Sequence, residues 1–189
     1  MITRRLMRMW SALVTRRPMR DAEQGAALIE FTLVFPILVA LLFGVVEFSQ
    51  AFAVSRKLSY AAATVSDLVA QMPKVTDADL EDIANVADTL LAPYTPAQLG
   101  LVITSVQADK DNKTTVGWSW SHGTGATAHA GNAAYGLPAG VIDPNTSIIV
   151  AETNYQFTPT IGLYLTGVIR LTGVAYFRPR AVSIVMKTD

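Results

Sequence analysis

Few side chains in this sequence have the type and spacing to do chemistry, and one carboxylate stands apart from the rest. Glu30 lies inside an otherwise uncharged apolar segment that runs from Ala26 to Val46. A charge deep in a lipid-spanning helix costs about 2.5–3.5 kcal/mol on insertion scales, so such a residue reads as functional, although near the cytoplasmic boundary water lowers the cost. Elsewhere the material for catalysis is thin. The chain has no cysteine, which removes disulfides, thiolate nucleophiles and Cys metal ligands, and it has only two histidines. His122 and His129 stand in a Gly- and Ala-rich stretch with no carboxylate close in sequence, which makes a poor ligand set. Asp109, Asp111 and Asn112 have the residue types of a calcium loop. Lys113 spoils the pattern and no Gly or Glu follows at the required offsets, so a hairpin turn is the better reading. There is no Gly-x-Ser-x-Gly elbow, phosphate-binding glycine turn or convergent pair of carboxylates. The expectation is a chain with no activity of its own, no cofactor and no metal. Trp118 and Trp120 share one face of a strand, where they either contact a ligand by stacking on a sugar or, the stronger reading, pack in a core or against another subunit.

The element that must carry Glu30 is the apolar segment itself. As a helix, residues 26–46 span roughly 31 Å, close to the ~30 Å of a bilayer's hydrocarbon core, and no polar stripe interrupts them as it would in a buried soluble helix. This concentrates the apolarity of a chain that is 51% hydrophobic with a mean hydropathy of +0.33. Pro36, lacking an N–H, is expected to kink or loosen the helix near Ile29 to Thr32. The formal net charge of +0 hides an asymmetry. Arg4, Arg5, Arg8, Arg16, Arg17 and Arg20 precede Gly25 against Asp21 and Glu23, leaving nine basic residues against thirteen acidic ones beyond it. A basic head before an apolar span is the signature of a segment kept in the cytoplasm while the remainder is exported, so the arginines are not read as a nucleic-acid patch. The paired arginines of the leader resemble a twin-arginine signal, but the apolar run is too long and no Ala-x-Ala site follows it closely.

Beyond the span the periodicity predicts an α+β domain. Ala51, Val54, Leu58, Ala61, Val65, Leu68 and Met72 recur in steps of three and four, so the helix continues with one apolar stripe until Pro73. Thr76 with Asp79 announces a second amphipathic helix, whose apolar face is Leu80, Ile83, Ala84, Ala87, Leu90 and Leu91 and which Pro93 and Pro96 close. The acidic residues Asp77, Asp79, Glu81 and Asp82 read as a solvated first turn. From Leu101 the period becomes two. A hairpin is predicted from residues 101–106 and 116–120 around the turn at 109–113, a third strand over 149–157, a fourth over 171–177 and a possible fifth over 181–186, all antiparallel. Residues 121–145 read as a long irregular glycine-rich loop without a packed element. Residues 161–169 are ambiguous between a helical turn, a strand and a surface that touches membrane or a partner.

The order of these signals resembles a known family. An Arg-rich leader, Gln24-Gly25, Ala26-Ala27-Leu28-Ile29-Glu30-Phe31, and an apolar run ending in Gly44-Val45-Val46-Glu47-Phe48 look like the start of TadE-like pseudopilins of tight-adherence (Flp-type) pilus systems. Tyr176-Phe177-Arg178-Pro179-Arg180 is similar to the closing region of such chains. The resemblance implies cleavage between Gly25 and Ala26 by a prepilin peptidase, and a role for Glu30 in peptidase recognition and in pairing with the N-terminal amine of a neighbouring subunit. It also implies a pilin-like fold: a basic cytoplasmic leader (1–25), a transmembrane helix (26–46), and an exported α+β domain (47–189) with four to five strands. The implied partners are the peptidase, other pilins or pseudopilins, the inner-membrane assembly platform and membrane lipid. The implied location is the bacterial inner membrane with the domain in the periplasm, or the pilus after assembly. An uncleaved, signal-anchored binding module displaying the same domain is the alternative.

Overall fold

The computed structural model describes residues 19–188, with side chains from Gly25 onward; the arginine-rich stretch before residue 19 and the reading of it as a cytoplasmic leader lie outside the described residues. One helix, α1 (Met19–Ala70), carries the apolar segment and the amphipathic stripe, with Pro36 inside it. The expected kink therefore does not end a helical segment, although residue 36 gives no N–H to the Thr32 carbonyl. The chain divides into two compact units, the first ending at Val45 and the second running Val46–Asp189.

In the second unit the remaining elements are β1 (Lys74–Val75), α2 (Asp77–Leu91), β2 (Leu99–Ala108), β3 (Thr114–Gly123), β4 (Ser147–Phe157), β5 (Ile169–Phe177) and β6 (Met186–Lys187). Strands β2 to β5 form one antiparallel sheet in the order β3-β2-β4-β5, while β1 and β6 pair in parallel as a separate ribbon. The predicted fifth strand over 181–186 thus does not join the sheet. Residues 178–185 are irregular and only the final pair, Met186 and Lys187, bridges back to Lys74 and Val75.

The period-two pattern decides which face meets the helix. Leu99, Leu101 and Ile103 of β2 and Ile149, Ala151, Tyr155 and Phe157 of β4 join Val54, Leu58, Ala61, Val65 and Val69 of α1 in one core. Of the stripe read from the sequence, Val54, Leu58, Ala61 and Val65 are buried and Ala51, Leu68 and Met72 are half-buried against them, with Ala62, Val69 and Ala70 added to the buried set. The second helix adds Leu80, Ile83, Ala84, Ala87 and Leu91, and starts in a complete capping box in which Thr76 Oγ1 accepts the Asp79 N–H while Asp79 accepts the Thr76 N–H. At the other end of α2, Lys57 Nζ donates to the Leu90 carbonyl at 3.1 Å, putting a cation where the helix dipole favours one.

The opposite face of the sheet is covered as well, which the composition of residues 121–145 did not suggest. Tyr135, Leu137, Val141 and Ile142 lie on Val106, Ala108, Ile148 and Val150 as a second, smaller core. The loop also takes hydrogen bonds along the outer edge of β3, with Val116 N–H donating to Ala133 O at 2.9 Å and Asn132 N–H to Val116 O at 2.8 Å. It remains irregular, as expected, but it is packed: a few large apolar residues among many small ones suffice when a flat sheet face waits for them.

Where α1 crosses the sheet the contact is backbone to backbone. Thr153 Oγ1 donates within reach of both Leu58 O (3.2 Å) and Gly173 O (3.1 Å), and a Cβ at Gly173 would stand 2.8 Å from Ser59 N and 2.9 Å from Leu58 C. No side chain fits there. Gly173→Ala should therefore destabilise the folded body by about 1–3 kcal/mol through overpacking, whereas Gly131→Ala, with nothing within 4 Å of its Cβ, should stay within roughly 0.5 kcal/mol. Urea unfolding in detergent micelles followed by tryptophan emission measures both.

Candidate functional site

The residues picked out in the apolar segment sit on a bare helix. At Gly25 a Cβ would meet nothing within 4 Å, and Glu30 is exposed amid Leu28, Ile29, Phe31 and Leu33, the last 70% exposed. Among the described residues no hydrogen bond or ion pair reaches Glu30. Gly25 and Ala26 lie within α1, in helical conformation. One helix, Gly25–Ala70, is long and apolar enough to cross a membrane, so a single-pass arrangement suits the chain.

A second carboxylate, which the sequence reading quoted without giving it a role, is placed quite differently. Glu47 directly follows the apolar run and is fully buried. Its Oε1 accepts the Leu163 N–H at 2.6 Å, and its Oε2 accepts the N–H groups of Tyr164 and Leu165 at 2.9 and 2.8 Å. Gly162, at φ +73°, turns the chain so that three successive amides converge on one carboxylate, a backbone nest for an anion supplied from within. One turn along, Gln50 Oε1 accepts from Thr160 Oγ1 at 3.2 Å. The ambiguous stretch 161–169 is thus mostly an irregular loop strapped to the helix, with β5 beginning at Ile169. The signal that could have found this is a glutamate at the end of an apolar span, which must be satisfied by something. Its donors lie 116 to 118 residues away, beyond the reach of periodicity.

Trp118 and Trp120 face the helix side of the sheet. Trp118 pairs with Ser105 and Trp120 with Ile103, both pack half-buried against the main core, and Trp118 Nε1 donates to Val185 O at 2.8 Å. Trp120 stacks on His122 with centroids 5.8 Å apart. Packing against the main core uses part of both indoles.

The histidines do meet carboxylates, contrary to the local sequence. His122 Nδ1 lies 3.4 Å from Glu81 of α2, and His129 Nε2 lies 2.6 Å from Glu152 of β4. Burial above all, with Glu152 next, pushes the Tyr135 hydroxyl pKa up. The His129 N–H donates to Ser119 Oγ at 3.0 Å, which in turn bonds Thr104 Oγ1 at 2.9 Å. This network fastens the 121–145 loop to the sheet. Beside it opens a cleft of about 500 Å³ lined by Gly125, Thr127, His129, Glu152, Asn154 and Arg170, among others. In the calcium-like turn, Asp109 Oδ1 already accepts the N–H groups of Asp111 (2.9 Å) and Lys113 (2.8 Å), with Asn112 at φ 60°. That carboxylate is engaged in closing the hairpin, which is the reading favoured from its sequence.

The closing arginines have identifiable work. Arg180 Nη2 pairs with Asp67 of α1 at 2.5 Å, and Arg178 Nη1 with Asp143 of the loop at 2.6 Å. Both are exposed, so each adds at most about 1 kcal/mol.

Two outcomes are expected at Glu47. The Leu165 N–H above all, with those of Leu163 and Tyr164, holds its carboxyl below the usual glutamate range against the opposing effect of burial. A lowered folded-state pKa gives stability that is complete above the unfolded value of about 4.5 and is lost as pH falls through the folded value. Glu47→Gln should therefore flatten the decline in stability between about pH 5 and pH 3 in acid-unfolding curves. Glu47→Ala should speed amide exchange at Leu163, Tyr164 and Leu165 by roughly tenfold or more, read by hydrogen–deuterium exchange.

No curated protein and no solved structure matches this chain significantly. The family model described as TadE-like protein matches residues 25–67, from the glycine before Ala26 to the Asp67 that pairs with Arg180, leaving α2 and the sheet outside the match. Over residues 25–67 this chain is therefore similar to TadE-like proteins.

Proposed function

We propose that the chain is a minor pilin or pseudopilin of a tight-adherence pilus, acting as a structural component in pilus assembly or adhesion without catalytic chemistry of its own. The observation that carries this reading is the family match, which begins at Gly25 and takes in Ala26 and Glu30. In this reading a prepilin peptidase cuts between Gly25 and Ala26 on the cytoplasmic face. The basic leader stays behind, and the new N-terminal amine of one subunit neutralises Glu30 of its neighbour within lipid, which removes the cost of a lone buried carboxylate. The bare, exposed helix surface around Glu30 supports the role, because a lateral partner finds the carboxylate unengaged among the described residues. The assembly platform and other pilins would meet the same surface, with the second unit carried outside the inner membrane.

The cleft beside His129 and Glu152 favours a second reading, an uncleaved, signal-anchored module that displays a binding face. The two differ in the covalent chain. Intact mass and N-terminal sequencing of the protein from membranes should give a start at Ala26, and a full-length chain should accumulate in Gly25→Ala or in a host lacking the peptidase. A full-length chain under every condition would leave the anchored binding module as the better account.

A further inference from the structure

The strap that Glu47 holds has an unexplained outer surface. Ile161 (43%), Leu163 (52%), Tyr164 (47%) and Val168 (64%) are exposed, four large apolar side chains in one short irregular loop, where a water-facing loop would carry polar residues. The backbone of that loop is fixed to α1 at Glu47 and Gln50. These are the first and fourth residues after the apolar run, so the strap stands within roughly 6 Å, along the helix axis, of the point where the run ends. The interfacial zone of a bilayer extends about 5–8 Å beyond the hydrocarbon on each side. On the helix at the same level Phe48 and Phe52, four residues apart and so on one face, are also exposed, at 59% and 66%. Two residues beyond Val168, at the start of β5, stands Arg170, exposed, a cation suited to headgroup phosphate.

We propose that residues 160–168 form a membrane-interface loop, whose Ile161, Leu163, Tyr164 and Val168 lie in the headgroup–acyl boundary of the outer leaflet while Glu47 holds the backbone in place. The occupant of this apolar surface is lipid. The loop is held at Glu47, the residue that directly follows the apolar run in the chain, and a tyrosine among aliphatic residues there is the composition of an interfacial belt. Glu47 solves the accompanying difficulty: the irregular backbone near hydrocarbon has three amides that need acceptors, and the carboxylate supplies them. The loop would fix the height of the folded body on the membrane, which a single helix alone leaves free to slide and tilt.

This inference rests on the membrane-spanning reading of residues 26–46, and its test keeps the two apart. The chain has no cysteine, so single cysteines at Leu163→Cys, Val168→Cys, Leu38→Cys and Lys110→Cys can each carry an environment-sensitive fluorophore in the full chain, reconstituted into phosphatidylethanolamine–phosphatidylglycerol vesicles. Positions 163 and 168 should be quenched by shallow lipid-borne nitroxides and about fivefold less by aqueous iodide than position 110, which lies in the hairpin turn. Position 38 should respond to deep nitroxides. Iodide quenching at 163 and 168 equal to that at 110, with 38 still deep, overturns the loop proposal and leaves the span standing. Iodide access at 38 overturns the span and the proposal with it. Protection at 163 and 168 that disappears as lipid-to-protein ratio rises means that another copy covers the loop, and lipid is the wrong occupant.

Discussion

One helix, long and apolar enough to cross a membrane, also carries the stripe around which the second unit folds, and in the single-crossing reading the change of solvent falls at Glu47. From Ala26 to Val46 Glu30 is the single charged residue; from Ala51 onward the buried apolar residues of α1 form one stripe. The second unit is assembled around that second half of the helix. Its sheet meets the stripe through the odd-numbered residues of β2, β4 and β5, and Gly173 allows the helix backbone to touch the strand. The second helix closes the other side, and Arg180 and Lys57 pin the flanks. Without the helix the sheet would expose Leu101, Ile103, Ile149 and Phe157 on one face, so anchoring and folding cannot be separated.

The two carboxylates of the helix show how one residue type serves opposite ends. They are 17 residues apart in the chain. Glu47 is saturated from within by three amides of its own chain. Glu30 is exposed on an apolar surface without an internal acceptor or donor among the described residues, and an unmatched carboxylate in such surroundings asks for a partner from outside.

What could be read from the sequence was what depends on neighbours three, four or two residues away. The stripe from Ala51 to Met72, the Thr76–Asp79 capping box and the alternation of β4 each carry their own geometry, and each appears in the fold. What escaped depends on partners far along the chain. The Glu47 nest joins residues more than a hundred apart, His129 finds Glu152 across the outer sheet face, and the 181–186 stretch yields a two-residue ribbon because Ser183 and Val185 spend their carbonyls on Ser147 and Trp118. The glycine-rich loop misled through its composition: its few large residues were outnumbered, yet they are what holds it down. At the candidate site, Glu47 was visible only as the first charge after a long apolar run.

The account stands on one arrangement, a single crossing with the arginine-rich end inside and the folded body outside. Membrane-impermeant maleimide labelling of the cysteine-free chain with single cysteines at Arg20→Cys and Lys110→Cys, in a host lacking prepilin peptidase so that the leader is retained, tests it directly. In intact right-side-out membranes position 110 should label and position 20 should not, and inverted vesicles should reverse the pattern. Labelling of both positions from the same face would contradict the crossing, and with it the roles assigned to Glu30 and Glu47.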